Sequence, residues 1–184
     1  MVLLLVCATA VGGQDGTPSH AVSNLENPWE IKPVLEEIAM HAARLEAALD
    51  RLNAQSWVEK GASDTYTAQL ESSKLQARAV GTEAYGLTVN PEKLSVALQV
   101  LFRIQGLEAM VASLEDAVRR YQSPADAQNL MRLMAEDGAN RNRLQQYVVS
   151  LAAAREQDLV VMDREAQRCR AQVTQPPPPA RRKK

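Results

Sequence analysis

Two stretches of the chain repeat apolar residues at alternating steps of four and three. The first has Ile31, Leu35, Ile38, Ala42, Leu45, Leu49 and Leu52, and the second has Val100, Ile104, Leu107, Val111, Leu114, Val118 and Tyr121. This spacing keeps one side of an α-helix apolar, and the heptad repeat is typical of helices that pack like a coiled coil. Each stretch is predicted to be a long helix with one buried face.

Two further helices are predicted. A weaker pattern covers roughly residues 64–85 and places on one side Tyr66, Leu70, Ala77, Val80 and Ala84. The last region runs from Pro124 to about Val173, would measure about 75 Å if straight, and is longer than its partners can cover. Its apolar residues are Leu130, Leu133, Leu144, Tyr147, Val148, Leu151, Leu159, Met162, Ala166, Cys169 and Val173. A bend is predicted near Gly138, because glycine weakens a helix by roughly 1 kcal/mol relative to alanine.

Helix starts are indicated where a capping residue precedes a proline. This pair occurs before Pro28, Pro91 and Pro124, and proline fits the first helical position, where its missing N–H costs nothing. Pro33 offers an alternative start for the first helix. Another start is predicted at Ser63 or Asp64, after a break at Gly61.

Together these patterns predict an all-α protein, an up-and-down bundle of about four long helices with coiled-coil-like packing, over residues 28–173. Short connections make consecutive helices antiparallel neighbours, and each apolar stripe must be buried against another helix. The composition agrees, with 46% hydrophobic residues and a single Phe.

The N-terminus predicts export. An unbroken apolar run from Val2 to Val11 is followed by small residues, which is typical of a secretory signal peptide. Cleavage is predicted after Ala10 or after Gly13, so residues 1–13 are interpreted as the signal peptide and 14–27 as a flexible lead. The run is shorter than the roughly 20 residues that cross a bilayer, so no membrane span is predicted. The expected location is periplasmic or extracellular.

The C-terminus, residues 174–184, is predicted to be a disordered basic tail. Four consecutive prolines favour an extended polyproline II segment, and the charges that follow are Arg181, Arg182, Lys183 and Lys184. Without those four, 17 of the 21 basic residues remain against 22 acidic ones. The tail is expected to make at most weak contact with an anionic surface such as lipid, cell-wall polymer or nucleic acid.

Cys169 is the cysteine that would remain after signal cleavage removes Cys7. Four roles are open: a nucleophile, a metal ligand, half of an intermolecular disulfide, or a small apolar residue in a helix seam. Neighbouring Arg168 and Arg170 would lower the thiol pKa if it were exposed, but few histidines are present to act as a base. The seam and the disulfide between two copies are favoured.

No catalytic, cofactor-binding or metal-binding residue is predicted. Glu37 and His41 lie one turn apart but supply at most half a metal site, and Met40 beside His41 points in another direction than a haem ligand pair requires. His41 is interpreted as a surface residue. The acidic pairs Glu36–Glu37 and Glu136–Asp137 are interpreted as solvated helix faces.

The function predicted from these features is that of an exported, non-enzymatic helical bundle acting by protein–protein interaction, with another protein or with itself. Nucleic-acid binding is disfavoured, because the body is acidic and aromatic residues make up only 4% of the chain. An alternative is a periplasmic chaperone-like or stress-sensing helical protein, and a third is a metal- or haem-binding bundle.

Overall fold

The computed structural model describes residues 25–174, of which 87% are helical and none lies in a strand. The elements are α1 (Pro28–Leu49), α2 (Ala54–Glu59), α3 (Thr65–Leu87), α4 (Leu94–Ala117), a π-helical turn (Val118–Gln122), α5 (Pro124–Glu136) and α6 (Gly138–Thr174). The predicted signal peptide, the first part of the lead and most of the basic tail lie outside the described residues.

Four long helices form the bundle, as predicted. α1 packs against α3, α3 against α4, and α6 against both α1 and α4. Lys74 lies 3.4 Å from Asp50 and Arg78 lies 2.5 Å from Glu46, so α3 runs antiparallel to α1. The heptad residues of α1 and α4 are buried, except that Tyr121 at the end of the pattern is half-buried.

The starts of α1 and α5 are at the predicted prolines. Pro28 follows Asn27, which forms a capping box with Glu30. Pro124 follows Ser123, whose hydroxyl accepts hydrogen bonds from backbone amides in the first turn of α5. The alternative start at Pro33 is wrong. Pro33 lies within α1, where its missing N–H leaves only the carbonyl of Trp29, a residue that is 70% exposed, without its helical partner.

The start predicted at Pro91 is also wrong, because α4 begins at Leu94. Residues 90–93 form a turn instead, in which the amide of Lys93 donates to the carbonyl of Asn90 at 3.2 Å. The carbonyl of Glu92 accepts from Arg155 at 3.3 Å. The turn at residues 90–93 thus contacts α6, far away in the sequence. The local sequence alone does not distinguish this turn from a helix start.

Two short elements escape the sequence pattern. α2 has only six residues and buries Trp57, whose indole N–H donates to the side-chain oxygen of Gln122 at 3.1 Å. The same oxygen accepts from the amide of Asn53 at 3.2 Å. Gln122 ends the π-helical turn, in which the amide of Ser123 donates to the carbonyl of Val118 at 2.9 Å. The connection between α1 and α3 is thereby fixed to the end of α4.

The predicted bend in the last helical region is present, with an angle of 38° near Asp137. It separates α5 from α6. No positive φ is found at Gly138, so the bend does not depend on the conformational freedom of glycine there.

One helix, Leu94–Gln122, is long and apolar enough by length and composition to cross a membrane. In the bundle its residues Val100, Ile104, Leu107 and Val111 are buried against the other helices. We therefore describe it as a core helix.

Candidate interaction surface

The first half of α6 is anchored to the body of the protein. Leu144, Tyr147, Val148 and Leu151 are buried in the bundle core. Arg155 makes the last hydrogen bond from α6 to the body among the described residues, since its guanidinium donates to the Glu92 carboxylate at 2.9 Å.

The second half of α6 projects from the body. Every residue from Glu156 to Thr174 is helical and exposed, and at 1.5 Å per residue this segment is about 28 Å long. We call residues 156–174 the overhang. It confirms that the last helix outruns its partners.

The overhang carries an apolar stripe, which we call the terminal stripe: Leu159, Met162, Ala166, Cys169 and Val173. It continues, at steps of four and three, the core-facing row formed by Leu144, Val148, Leu151 and Arg155. Leu159 and Met162 are 65% and 64% exposed. The same face of α6 is thus buried by the body up to Leu151 and left uncovered, within residues 25–174, beyond Arg155.

Cys169 lies on the terminal stripe with an exposed, free thiol. Burial in the core of its own chain is therefore excluded. The seam register is as predicted, and pairing with a second copy stays a prediction.

Charge is distributed unevenly along the overhang. Its first part contains Glu156, Asp158 and Asp163, and its second part contains Arg164, Arg168 and Arg170 with Glu165. The segment is therefore acidic near the body and basic toward its end. Asp163 accepts a hydrogen bond from Gln167 at 2.8 Å, and Asp158 pairs with Arg155 at 3.1 Å.

A second polar feature lies inside the bundle at the bend. The amide of Asp137 donates to the carbonyl of Ala135, so the carbonyl of Leu133 lacks its usual helical partner. Nε2 of His41 lies 2.7 Å from that carbonyl and donates to it. His41 is therefore a buried residue that ties α1 to the end of α5, and its interpretation as a surface residue is wrong.

Asp137 is also buried, so its interpretation as part of a solvated face is wrong. Its carboxylate accepts from the Asn140 side chain at 2.8 Å and lies 3.8 Å from Nδ1 of His41. Burial raises the pKa of Asp137, while Asn140, His41 and Arg44 oppose the shift and Glu37 adds to it. Sequence reasoning missed this pair because both residues look like ordinary polar positions on their helices.

The buried pair adjoins little open space. The adjoining cavity, bordered by Ile38, Met134 and Arg141, measures about 20 Å³, which is room for one water molecule. Among residues 25–174, no group of three or more His, Cys, Asp and Glu side chains could hold a metal ion. The pair serves to satisfy polar groups at the bend.

We take the overhang as the candidate functional surface because its terminal stripe is apolar and exposed. The basic tail residues Arg181, Arg182, Lys183 and Lys184 follow it in the sequence but lie outside the described residues. Comparison of the chain with protein-family models, with curated proteins and with solved structures finds no match.

Proposed function

We propose that this chain is an exported, non-enzymatic helical-bundle protein that acts through protein–protein interaction, with the overhang as its binding surface. The observation that carries the proposal is the terminal stripe, which continues the core-facing row of α6 beyond the body. An apolar stripe on a helix is stabilising when another element covers it. The partner is expected to cover it.

The energetics of the overhang support this proposal. An isolated helix of this length is marginally stable in water, and most helical stability in proteins comes from packing of the apolar face. No residue from 156 to 174 is buried. A partner on the terminal stripe would supply the packing that the body does not.

The form of the surface favours a helical partner over a chaperone-like function. Holding unfolded clients calls for an extended apolar patch or groove. The terminal stripe is instead a single row on one convex helix, with Val160 and Val161 as the only large apolar residues of the overhang exposed off the row, and such a row fits a helix packed along it. The export part of the proposal rests on the apolar run in residues 1–13.

Photo-cross-linking in the native host tests the interaction. A photoreactive amino acid replaces Met162 on the terminal stripe or, as a matched control, Arg164 on the opposite side of the helix. We expect a cross-linked protein from position 162 and not from position 164. Equal yields, or none at either position, would contradict the proposal.

Export is tested separately with a reporter enzyme fused after Gly16. Activity of the reporter outside the cytoplasm is expected. Retention of the uncleaved chain in the cytoplasm would show that residues 1–13 are not a signal peptide.

A further inference from the structure

We propose that the partner of the overhang is the overhang of a second copy of this chain, packed antiparallel with Ala166 of each copy facing Cys169 of the other. This inference rests on the proposed function and names its partner. It is drawn from the direction of the terminal stripe, the charges beside it and the sizes of its residues.

The direction follows from the position of the body. The terminal stripe lies on the same side of α6 as the residues that, up to Leu151, face α1 and α4. A second helix on the stripe therefore occupies the extension of the space filled by α1 and α4. In a parallel pair, the partner's helix before residue 156 would collide with those two helices, whereas in an antiparallel pair the partner's body lies beyond the end of the overhang.

The charges beside the stripe also favour the antiparallel arrangement. In the proposed pairing, Asp163 of each copy lies next to Arg170 of the other. A parallel arrangement would pair Glu165 with Arg170 but would also place Asp158 beside Asp163 of the other copy. Opposite charges along two helices favour association and set its direction.

The register follows from the residues that flank the stripe. In an antiparallel pair of helices, the residues along one edge of the stripe face the residues along the equivalent edge of the partner's stripe. With Ala166 facing Cys169, Asp163 of each copy faces Arg170 of the other, so the dimer contains this pair twice. Glu165 of each copy faces the neutral Gln172 of the other. Sliding by one heptad, so that Ala166 faces Met162, would pair Glu156 with Arg170 but would also bring the two copies of Asp163 against each other and the two copies of Glu165 against each other.

Both registers bring four layers of stripe residues together, so the charges decide between them. In the proposed register the two central layers contain only Ala166 and Cys169, which let the helices approach closely, and the outer layers pair Met162 with Val173. The two Cys169 side chains lie in adjacent layers near the two-fold axis. A homodimer with one self-complementary surface on each copy results.

Charge reversal tests this register on the protein as its host processes it, kept reduced and measured by sedimentation equilibrium. Asp163→Arg or Arg170→Asp alone should raise the dimer dissociation constant about tenfold, since each places like charges at two positions of the dimer. The double variant should return to within about threefold of the wild type. Arg164→Asp, which changes the net charge equally on the opposite side, is the control and should change the constant less than about twofold.

Two further double variants identify the wrong alignments. Restoration by Glu165→Arg with Arg170→Glu would indicate parallel helices, because those residues face each other only in that arrangement. Restoration by Glu156→Arg with Arg170→Glu would indicate the shifted antiparallel register. Either result would overturn the proposed register.

The inference and the proposed function fail in distinguishable ways. A wild-type chain that is monomeric at every concentration, while position 162 still cross-links to a different protein, overturns self-pairing and leaves the proposed function standing. A monomer in which position 162 cross-links only to another segment of the same chain would show that this segment covers the terminal stripe, and would overturn both.

Discussion

His41 and Asp137 are polar residues, and the bend between α5 and α6 explains why they are buried. The bend removes the helical partner of the Leu133 carbonyl, and His41 donates to it at 2.7 Å. A buried carbonyl without a donor costs about 1–3 kcal/mol, so a nearby donor is strongly favoured. Asp137 accompanies His41 into the interior because it lies where α5 ends and α6 begins.

We compare the Asp137→Asn variant with wild type at each pH. The stability of the variant relative to wild type should be greater at neutral pH than at acid pH. Burial raises the pKa of Asp137 above its ordinary 3.8, so the folded state holds the proton more tightly than the unfolded state. The wild type therefore loses stability as pH rises from 3.8 through the raised value. The variant has no such loss, so its melting temperature relative to that of wild type should rise as pH increases through this range.

The measurement is the melting temperature of both proteins between pH 3 and pH 8. Asp64→Asn, at an exposed carboxylate whose side chain caps no helix amide, is the control and should not reproduce the trend. A difference between the Asp137 variant and wild type that is constant with pH would show that the carboxyl is not desolvated.

Cys169 should form a disulfide between two copies when the protein is exposed to an oxidant. Its thiol is exposed, and residues near a two-fold axis can meet the limit of about 7 Å between Cα atoms. Non-reducing electrophoresis should show a reducible dimer that Cys169→Ser abolishes. A monomeric wild type with a reactive thiol would contradict the prediction.

At the scale of elements, the bend between α5 and α6 raises the question of what maintains it. Gly138 has no positive φ, and a Cβ added there would meet Arg141 at an ordinary 3.5 Å. The contact of His41 with Leu133 and the burial of Asp137 are features that a straight helix would lose.

Gly138→Ala should therefore keep the bend and raise the free energy of unfolding by roughly 0.5–1 kcal/mol, through lower entropy of the unfolded chain. Urea denaturation measures the change. A destabilised variant would show that the glycine itself is needed at the bend.

The long helices could be predicted because their burial is periodic. The stretches from Ile31 to Leu52 and from Val100 to Val118 each keep one face apolar. Such a repeat can be recognised in the sequence without knowing which helix packs against it. The turn at Pro91, the short α2 and the burial of His41 depend on contacts with Arg155, Gln122 and the Leu133 carbonyl, which lie far away in the sequence. Sequence pattern alone does not identify such partners.

The register of the candidate surface and the existence of an uncovered end were predictable, but the residue at which exposure begins was not. Leu144 and Leu159 belong to the same apolar series, yet one is buried and the other is 65% exposed. Periodicity indicates which side of a helix needs a partner. Only the lengths of the neighbouring helices determine where that partner stops.

At the scale of the whole molecule, the body and the overhang should be separable. A chain ending at Gln157 keeps Arg155 and every residue that is buried within the described part of the chain. At low concentration its stability should match the full chain within a few tenths of a kcal/mol, because exposed positions contribute little. Truncation after Gln175, which removes only the basic tail, should have as little effect.

The concentration dependence of the melting temperature separates the two truncations. The full chain and the chain ending at Gln175 should melt at a higher temperature as concentration rises, because self-association stabilises the folded state. The chain ending at Gln157 should not. Equal concentration dependence in all three would place the self-association outside the overhang.

The placement of Trp57 gives the protein an internal optical probe. Its indole is fully buried and lies edge-on to Tyr66, with ring centroids 6.3 Å apart, whereas Trp29 is 70% exposed. The fluorescence of the two tryptophans should therefore differ in colour and in quenching by iodide. In a Trp29→Phe background, the remaining emission reports on whether α2 and the π-helical turn are still joined, and it can follow their separation as the bundle unfolds.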